Sequence, residues 1–204
     1  MKRYLMEFIG TFFLTVAISL TANPITIGLM LMAMIYVGGH VSGAHFNPAI
    51  SFACFIQNRL KLADMGFYIA AQSLGACLAL WFFMLITNNP YSIEMVPGNY
   101  VAGPLAIEML LVSVLCWVYL MMNYTNRYRD STIPGIVIGL TLMAIVSVSQ
   151  SGLFNPAVAI ASIGTNLIRE GSIGEMGSIL VYIVGPLLGA VGGAFKFGYF
   201  KPEV

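Results

Sequence analysis

Long apolar runs, broken by short polar punctuation, make up most of this chain. A helix needs about 20 apolar residues to cross the hydrocarbon core of a bilayer, and the pattern predicts six such spans. Residues 4–22 form the first, stopped by Asn23-Pro24, and residues 25–41 follow at once, giving a hairpin with almost no loop. Residues 66–87 are the third span, ended by Asn88-Asn89-Pro90. Residues 104–124, 133–148 and 177–200 are the fourth, fifth and sixth. The stretch to Gly103 reads as an external loop, and residues 126–131, with Arg127, Arg129 and Asp130, as a polar turn. Two shorter apolar pieces, 47–56 and 155–168, each open with Asn-Pro-Ala. At about 1.5 Å per residue neither crosses, so both are predicted to enter the membrane and stop midway. The fold class is therefore an all-α membrane protein, with six transmembrane helices and two re-entrant half-helices.

Composition agrees. Of 204 residues, 59% are hydrophobic and only 8% charged, with a mean hydropathy of +0.88. Soluble domains run nearer a quarter charged, so lipid is the solvent for most of this surface. A net charge of +1 argues against a nucleic-acid partner. Cys54, Cys77 and Cys116 stand alone in apolar runs, without metal-ligand spacing, and read as small buried hydrophobes. Met1-Lys2-Arg3 resembles the start of a signal peptide, but Glu7 interrupts the run behind it and equally apolar segments follow.

With the N-terminus in the cytoplasm and sides alternating, Lys2, Arg3, Arg59, Lys61, Arg127, Arg129, Lys196 and Lys201 fall inside. Only Arg169, of nine basic residues, falls outside. That bias predicts this orientation, with both termini cytoplasmic.

The chain also repeats itself. Ile27-Gly28-Leu29 and Leu31-Met32-Ala33 recur as Ile138-Gly139-Leu140 and Leu142-Met143-Ala144. Ser42-Gly43-Ala44-His45-Phe46-Asn47-Pro48-Ala49 recurs as Ser151-Gly152-Leu153-Phe154-Asn155-Pro156-Ala157, and Glu7 is echoed by Glu108. Two repeats, 1–88 and 103–204, joined by loop 89–102, form one domain. Each reads span, span, half-span, span; an odd number of crossings inserts the second copy upside down. Inverted repeats place the functional site near the midplane, at the repeat interface.

Asparagine suits a helix N-cap and proline its first position. In this arrangement both half-helix N-termini point at one midplane spot, each presenting unpaired N–H groups and partial positive charge. Asn47 and Asn155 are predicted to aim amide N–H donors into a pore. A water there offers its oxygen to both, which interrupts the wire along which protons hop, and the two dipoles repel cations.

At these residues the sequence resembles the major intrinsic proteins, the aquaporins and glycerol facilitators. The resemblance runs through Glu7-Phe8-Ile9-Gly10-Thr11, the segment from Gly39 to Ala49, Asn155-Pro156-Ala157 and the Gly-rich sixth span, and covers essentially the whole chain. It implies a homotetramer with one passive pore per subunit in the cell membrane, carrying water and small neutral solutes without a cofactor. Water-selective members narrow the outer pore with Phe, His, a small residue and an Arg just after the second motif. Here those positions fall on Ile27, Val146, Gly152 and Val158, apolar and uncharged. Ala159 matches neither the serine usual in water channels nor the aspartate usual in glycerol channels, and Tyr182 and Ile183 are similarly mixed. Without the Arg a wider, less polar mouth is expected, open to larger neutral solutes such as glycerol, urea, ammonia or metalloid hydroxides. A dry apolar ring that impedes water is the other possibility.

Glu7 and Glu108 read as carboxylates that accept from backbone N–H groups of the re-entrant loops, a proton relay being the alternative. His45 reads as a support of the first loop, and His40 as a residue at the end of the second span. Gly185, Gly189 and Gly193 repeat every fourth residue and read as a helix-packing face. Phe12-Phe13, Trp81-Phe82-Phe83 and the 13 methionines read as core or lipid-facing. A secondary transporter would carry an ionisable or ion-coordinating residue at its helix breaks, and these hold Asn, Pro and Ala. An enzyme needs a nucleophile–base pair or metal ligands, and His40 and His45 have no acidic or Cys partner in sequence reach. Neither a metal site nor catalysis is expected. A member of the family that conducts little and serves adhesion or structure is the remaining alternative.

Overall fold

A computed structural model describes residues 1–91, 100–128, 131–149, 152–170 and 176–201. Most of the external loop, Arg129, Asp130 and Ser151 lie outside the described residues, as does the side chain of Arg169.

The described residues form helices α1 (Lys2–Thr21), α2 (Pro24–Ser42), α3 (Pro48–Ile56), α4 (Leu62–Thr87), α5 (Ala102–Tyr124), α6 (Ile133–Val148), α7 (Pro156–Glu170), α8 (Met176–Ile179) and α9 (Gly185–Phe200). A π-helical turn, Leu180–Val184, joins the last two. Their ends follow from local chemistry. Ala22 leaves α1 in the left-handed region at φ 48°. Asn23 Oδ1 then accepts from the N–H groups of Ile25 and Thr26, with Pro24 in the first turn, so the hairpin needs no further loop. Gly43, at φ 88°, closes α2 by donating its N–H to the Gly39 carbonyl. The π turn precedes Pro186, whose ring would clash with the carbonyl four residues back; the Gly185 N–H reaches the Leu180 carbonyl instead.

Among the described residues, five helical stretches are long and apolar enough to cross a membrane: α1, α2, α4, α5 and Gly177–Phe200. The fifth predicted span, α6, has the expected bounds, but its 16 residues rise only about 24 Å. Against a hydrocarbon core of about 30 Å it is short.

Three helix pairs carry the packing: α1 with α4, α5 with α9, and α2 with α6. The first pair runs parallel, since Arg3 and Tyr4 both donate to Asp64 Oδ1, at 2.7 and 2.9 Å. Where α2 crosses α6 the backbones nearly touch. A methyl group on Gly28 would stand 2.7 Å from the Gly139 carbonyl oxygen, and one on Gly139 the same distance from that of Gly28. In α4, Gly75 faces the Phe8 carbonyl and the Phe12 N–H of α1; in α9, Gly189 faces the Met109 carbonyl and the Ser113 N–H of α5. Gly185 and Gly193 sit on the same face of α9, against Glu108 and against Cys116 and the Ser113 carbonyl.

Polar side chains have gone inward, and large apolar ones face outward as well as filling the core. Glu7, Gln72, Glu108, His45, Asn47 and Asn155 are buried, while Leu74, Leu110 and Phe195 are 62, 62 and 75% exposed. Water would penalise that distribution, and a hydrocarbon solvent requires it.

Candidate functional site

The half-helices α3 and α7 start back to back at the centre of the bundle. Each asparagine side chain is fixed at two points. Asn47 Oδ1 accepts from the Ala49 N–H at 2.8 Å, and Asn155 Oδ1 from the Ala157 N–H at 3.1 Å, capping the two helices. The amides then cross. Asn47 Nδ2 donates to the Phe154 carbonyl at 2.7 Å, and Asn155 Nδ2 donates to the Phe46 carbonyl at 2.9 Å. Each NH₂ group has two hydrogens, so one remains on each asparagine. Both residues line a cavity of ≈ 40 Å³. At about 10–15 Å³ per probe-sized water, that is room for a few water molecules.

Phe46 and Phe154 hold left-handed backbone, at φ 51° and 54°, which turns their carbonyls across to the opposite asparagine. For a residue with a Cβ this costs about 1 kcal/mol or more and needs support. Carboxylates supply it. Glu7 Oε1 accepts from the His45 N–H at 3.0 Å, and Oε2 from the Phe46 N–H at 2.7 Å. Glu108 accepts from the Leu153 N–H at 2.7 Å and the Phe154 N–H at 3.1 Å. Glu7 also takes hydrogen bonds from Ser42 Oγ and Gln72 Nε2, at 2.7 and 2.8 Å.

His45 Nδ1 lies 3.0 Å from Ser51 Oγ, and its ring packs edge-on to Tyr68 and Tyr119. Those tyrosines donate their hydroxyls to the Ser42 and Gly43 carbonyls. His45 thus touches the framework of the first loop and also lines the cavity. His40 lies exposed at the end of α2 and is not among the cavity-lining residues.

Ile27, Val146 and Gly152 line the same cavity as the asparagines. Val158 does not; it is fully buried, with its N–H donated to the Asn155 carbonyl. The rest of the wall was not singled out from the sequence: Leu14 and Leu115, Leu31 and Leu142, with Ile18, Ile50 and Leu153. The sequence did carry a signal for the leucines. Leu14 and Leu115 each stand seven residues past a repeated glutamate, and Leu31 and Leu142 lie inside the repeated strings. Gln72 had no such signal. It is one amide in an apolar run, and its partner Glu7 is distant in sequence.

Chemically, the cavity offers amide N–H donors at one height on an apolar wall. Among the described residues no group of three or more His, Cys, Asp or Glu could hold a metal ion. Cys54, Cys77 and Cys116 are free thiols.

Residues 1–197 match the family described as major intrinsic protein. Aquaporin NIP1-1 of Zea mays is 31% identical over 98% of this chain and 75% of its own length. The glycerol uptake facilitator protein-like 6 of Lactiplantibacillus plantarum is 30% identical over 96% of both chains. Aquaporin Z of Rhodopseudomonas palustris is 29% identical over 99% of this chain and 94% of its own. In fold, the chain is similar to the X-ray structure of the aquaglyceroporin from Plasmodium falciparum, with a TM-score of 0.74, 22% identity, and coverage of 98% of this chain and 94% of that one. The helical bundle, the crossed asparagines and these matches have one reading: the chain belongs to the major intrinsic protein family and has the aquaporin fold.

Proposed function

We propose that this protein is a passive membrane channel in which water and small uncharged solutes pass Asn47 and Asn155 in single file. The observation that carries this reading is the crossed pair of amide bonds, which fixes one donor per asparagine and leaves the other hydrogen facing a cavity. A water there accepts from the amides through its oxygen, and its own hydrogens point up and down the file. A proton cannot hop through a water held that way, and the N-termini of α3 and α7 repel cations. Oxygen-accepting neutral solutes face no such barrier.

Ile27, Val146 and Gly152 form the outer narrowing in this proposal, with Val158 packed behind it. One face of the file is polar and the facing wall, Leu14, Leu31, Leu115 and Leu142, is apolar. That wall suits a solute with a carbon backbone and supports the alternative emphasis, a facilitator for glycerol-sized neutral solutes with poor water selectivity. The assembly is a homotetramer in the cell membrane, with both chain termini on the cytoplasmic side and the halves inserted in opposite senses.

Stopped-flow light scattering on proteoliposomes tests this against water, glycerol, urea and a metalloid hydroxide. Linear, non-saturating flux that vanishes without a gradient is expected, with no proton leak. Accumulation against a gradient would make the protein a secondary transporter. Traces matching empty vesicles would make it a non-conducting member of the family.

A further inference from the structure

Beside the second re-entrant loop lies another cavity, of ≈ 150 Å³, whose walls include Tyr100, Ile107, Glu108, Ser149, Val181 and Tyr182. It shares Gly152 with the central cavity, so the two flank one segment of backbone.

The two loop-supporting carboxylates are not equally served. Glu7 accepts from two backbone N–H groups and from the side chains of Ser42 and Gln72. Among the described residues, Glu108 accepts only from the backbone of Leu153 and Phe154. Part of the difference is traceable. Gly75 faces Phe8 and Phe12, which lie one and five residues after Glu7; Gly189 faces Met109 and Ser113, one and five after Glu108. Gln72 precedes Gly75 by three residues, and the residue three before Gly189 is Pro186, which has no side-chain donor. Where the first half packs an amide against its carboxylate, the second half has a proline.

We propose that the cavity is a binding site for a small primary ammonium ion. A carboxylate has about four acceptor positions, and Glu108 is 1% exposed. A buried negative charge is costly unless paired and hydrogen-bonded. A primary ammonium brings three N–H donors and the opposite charge, enough for Glu108 together with the hydroxyl oxygens of Ser149 and Tyr100 on the cavity wall. A neutral water supplies hydrogens without the charge. A divalent metal wants more oxygen or nitrogen ligands, and no cluster of three His, Cys, Asp or Glu exists among the described residues.

Saturation-transfer NMR on the full-length protein in detergent tests this, with methylammonium as probe and tetramethylammonium, of equal charge but without N–H, as comparison. With two non-hydrogen atoms the probe is expected to bind with a Kd on the order of 10 mM, and tetramethylammonium not to saturate. Pro186→Gln restores the amide of the first half and is expected to weaken methylammonium binding about tenfold. Ile107→Phe fills the cavity and is expected to abolish binding; Ile107 is 44% exposed, so the larger ring leaves the fold intact and keeps the test open should the proline variant not fold. No saturable methylammonium signal, equal binding of the two cations, or undiminished binding in either folded variant would overturn the proposal. Binding is read without flux, so its failure leaves the channel reading untouched.

Discussion

Asn47 caps a helix with its side-chain oxygen, donates one amide hydrogen to the opposite loop, and lines the central cavity. The motif made the cap readable from the sequence. It did not show the crossed bond, because that bond ends on a phenylalanine carbonyl turned by positive φ, and phenylalanine gives no sign of such backbone. Glu7 stabilises the turn by accepting from four donors, and Glu7→Gln replaces one acceptor oxygen with a donor facing them. A loss of about 2 kcal/mol is expected, read as a lower unfolding temperature in detergent, and Gln72→Leu is expected to lose less, since the other three donors remain. Val158 stands three residues past Asn155, as Ile50 does past Asn47, and Ile50 lines the cavity. Val158→Arg extends that position into the file with a charge and fixed donors. Glycerol flux is expected to fall about tenfold or more while water flux falls less; unchanged or faster glycerol flux would move the constriction elsewhere.

Among the elements, the half-helices were legible because Asn-Pro-Ala is both a start signal and, in a run of this length, a mark of a helix that cannot cross. The Asn23-Pro24 hairpin was legible for the same capping reason. The π turn ahead of Pro186 was not, since a proline in an apolar run predicts a kink without saying how the chain resolves it. The α2/α6 crossing rests on two glycines that face each other. Gly139→Ala places a methyl against the Gly28 carbonyl and is expected to cost about 1–3 kcal/mol, measured as a drop in unfolding temperature. A Gly164→Ala control meets no neighbour within 4 Å and is expected to leave stability unchanged or slightly higher.

For the whole molecule, the inward placement of Glu, Gln, His and Asn and the outward placement of Leu and Phe make the bilayer a part of the structure. The proposed orientation, with both termini cytoplasmic, rests on the bias of the basic residues toward one side. Single cysteines added at residue 2 and at residue 201, in a background with Cys54, Cys77 and Cys116 replaced, are expected to react with an impermeant maleimide only after the cytoplasmic face is opened. Labelling of either from outside intact cells would reverse or break the topology. Native mass spectrometry is expected to give four times the 22.1 kDa chain mass.

What the sequence determined by itself is what local chemistry and solvent determine: which segments are helical, where they are capped, that lipid surrounds them, and that two short helices begin with the same donor-bearing residue. Periodicity, proline and charge act over a few residues, so one dimension holds them. The tertiary structure alone decided which carbonyl each asparagine meets, that Gln72 and Ser42 serve Glu7 while Glu108, among the described residues, takes only backbone N–H groups, and that Val158 is buried and not among the residues, Ile27, Val146 and Gly152 included, that line the central cavity. Those pairings join residues tens to more than a hundred positions apart, and their geometry exists only once the helices have packed.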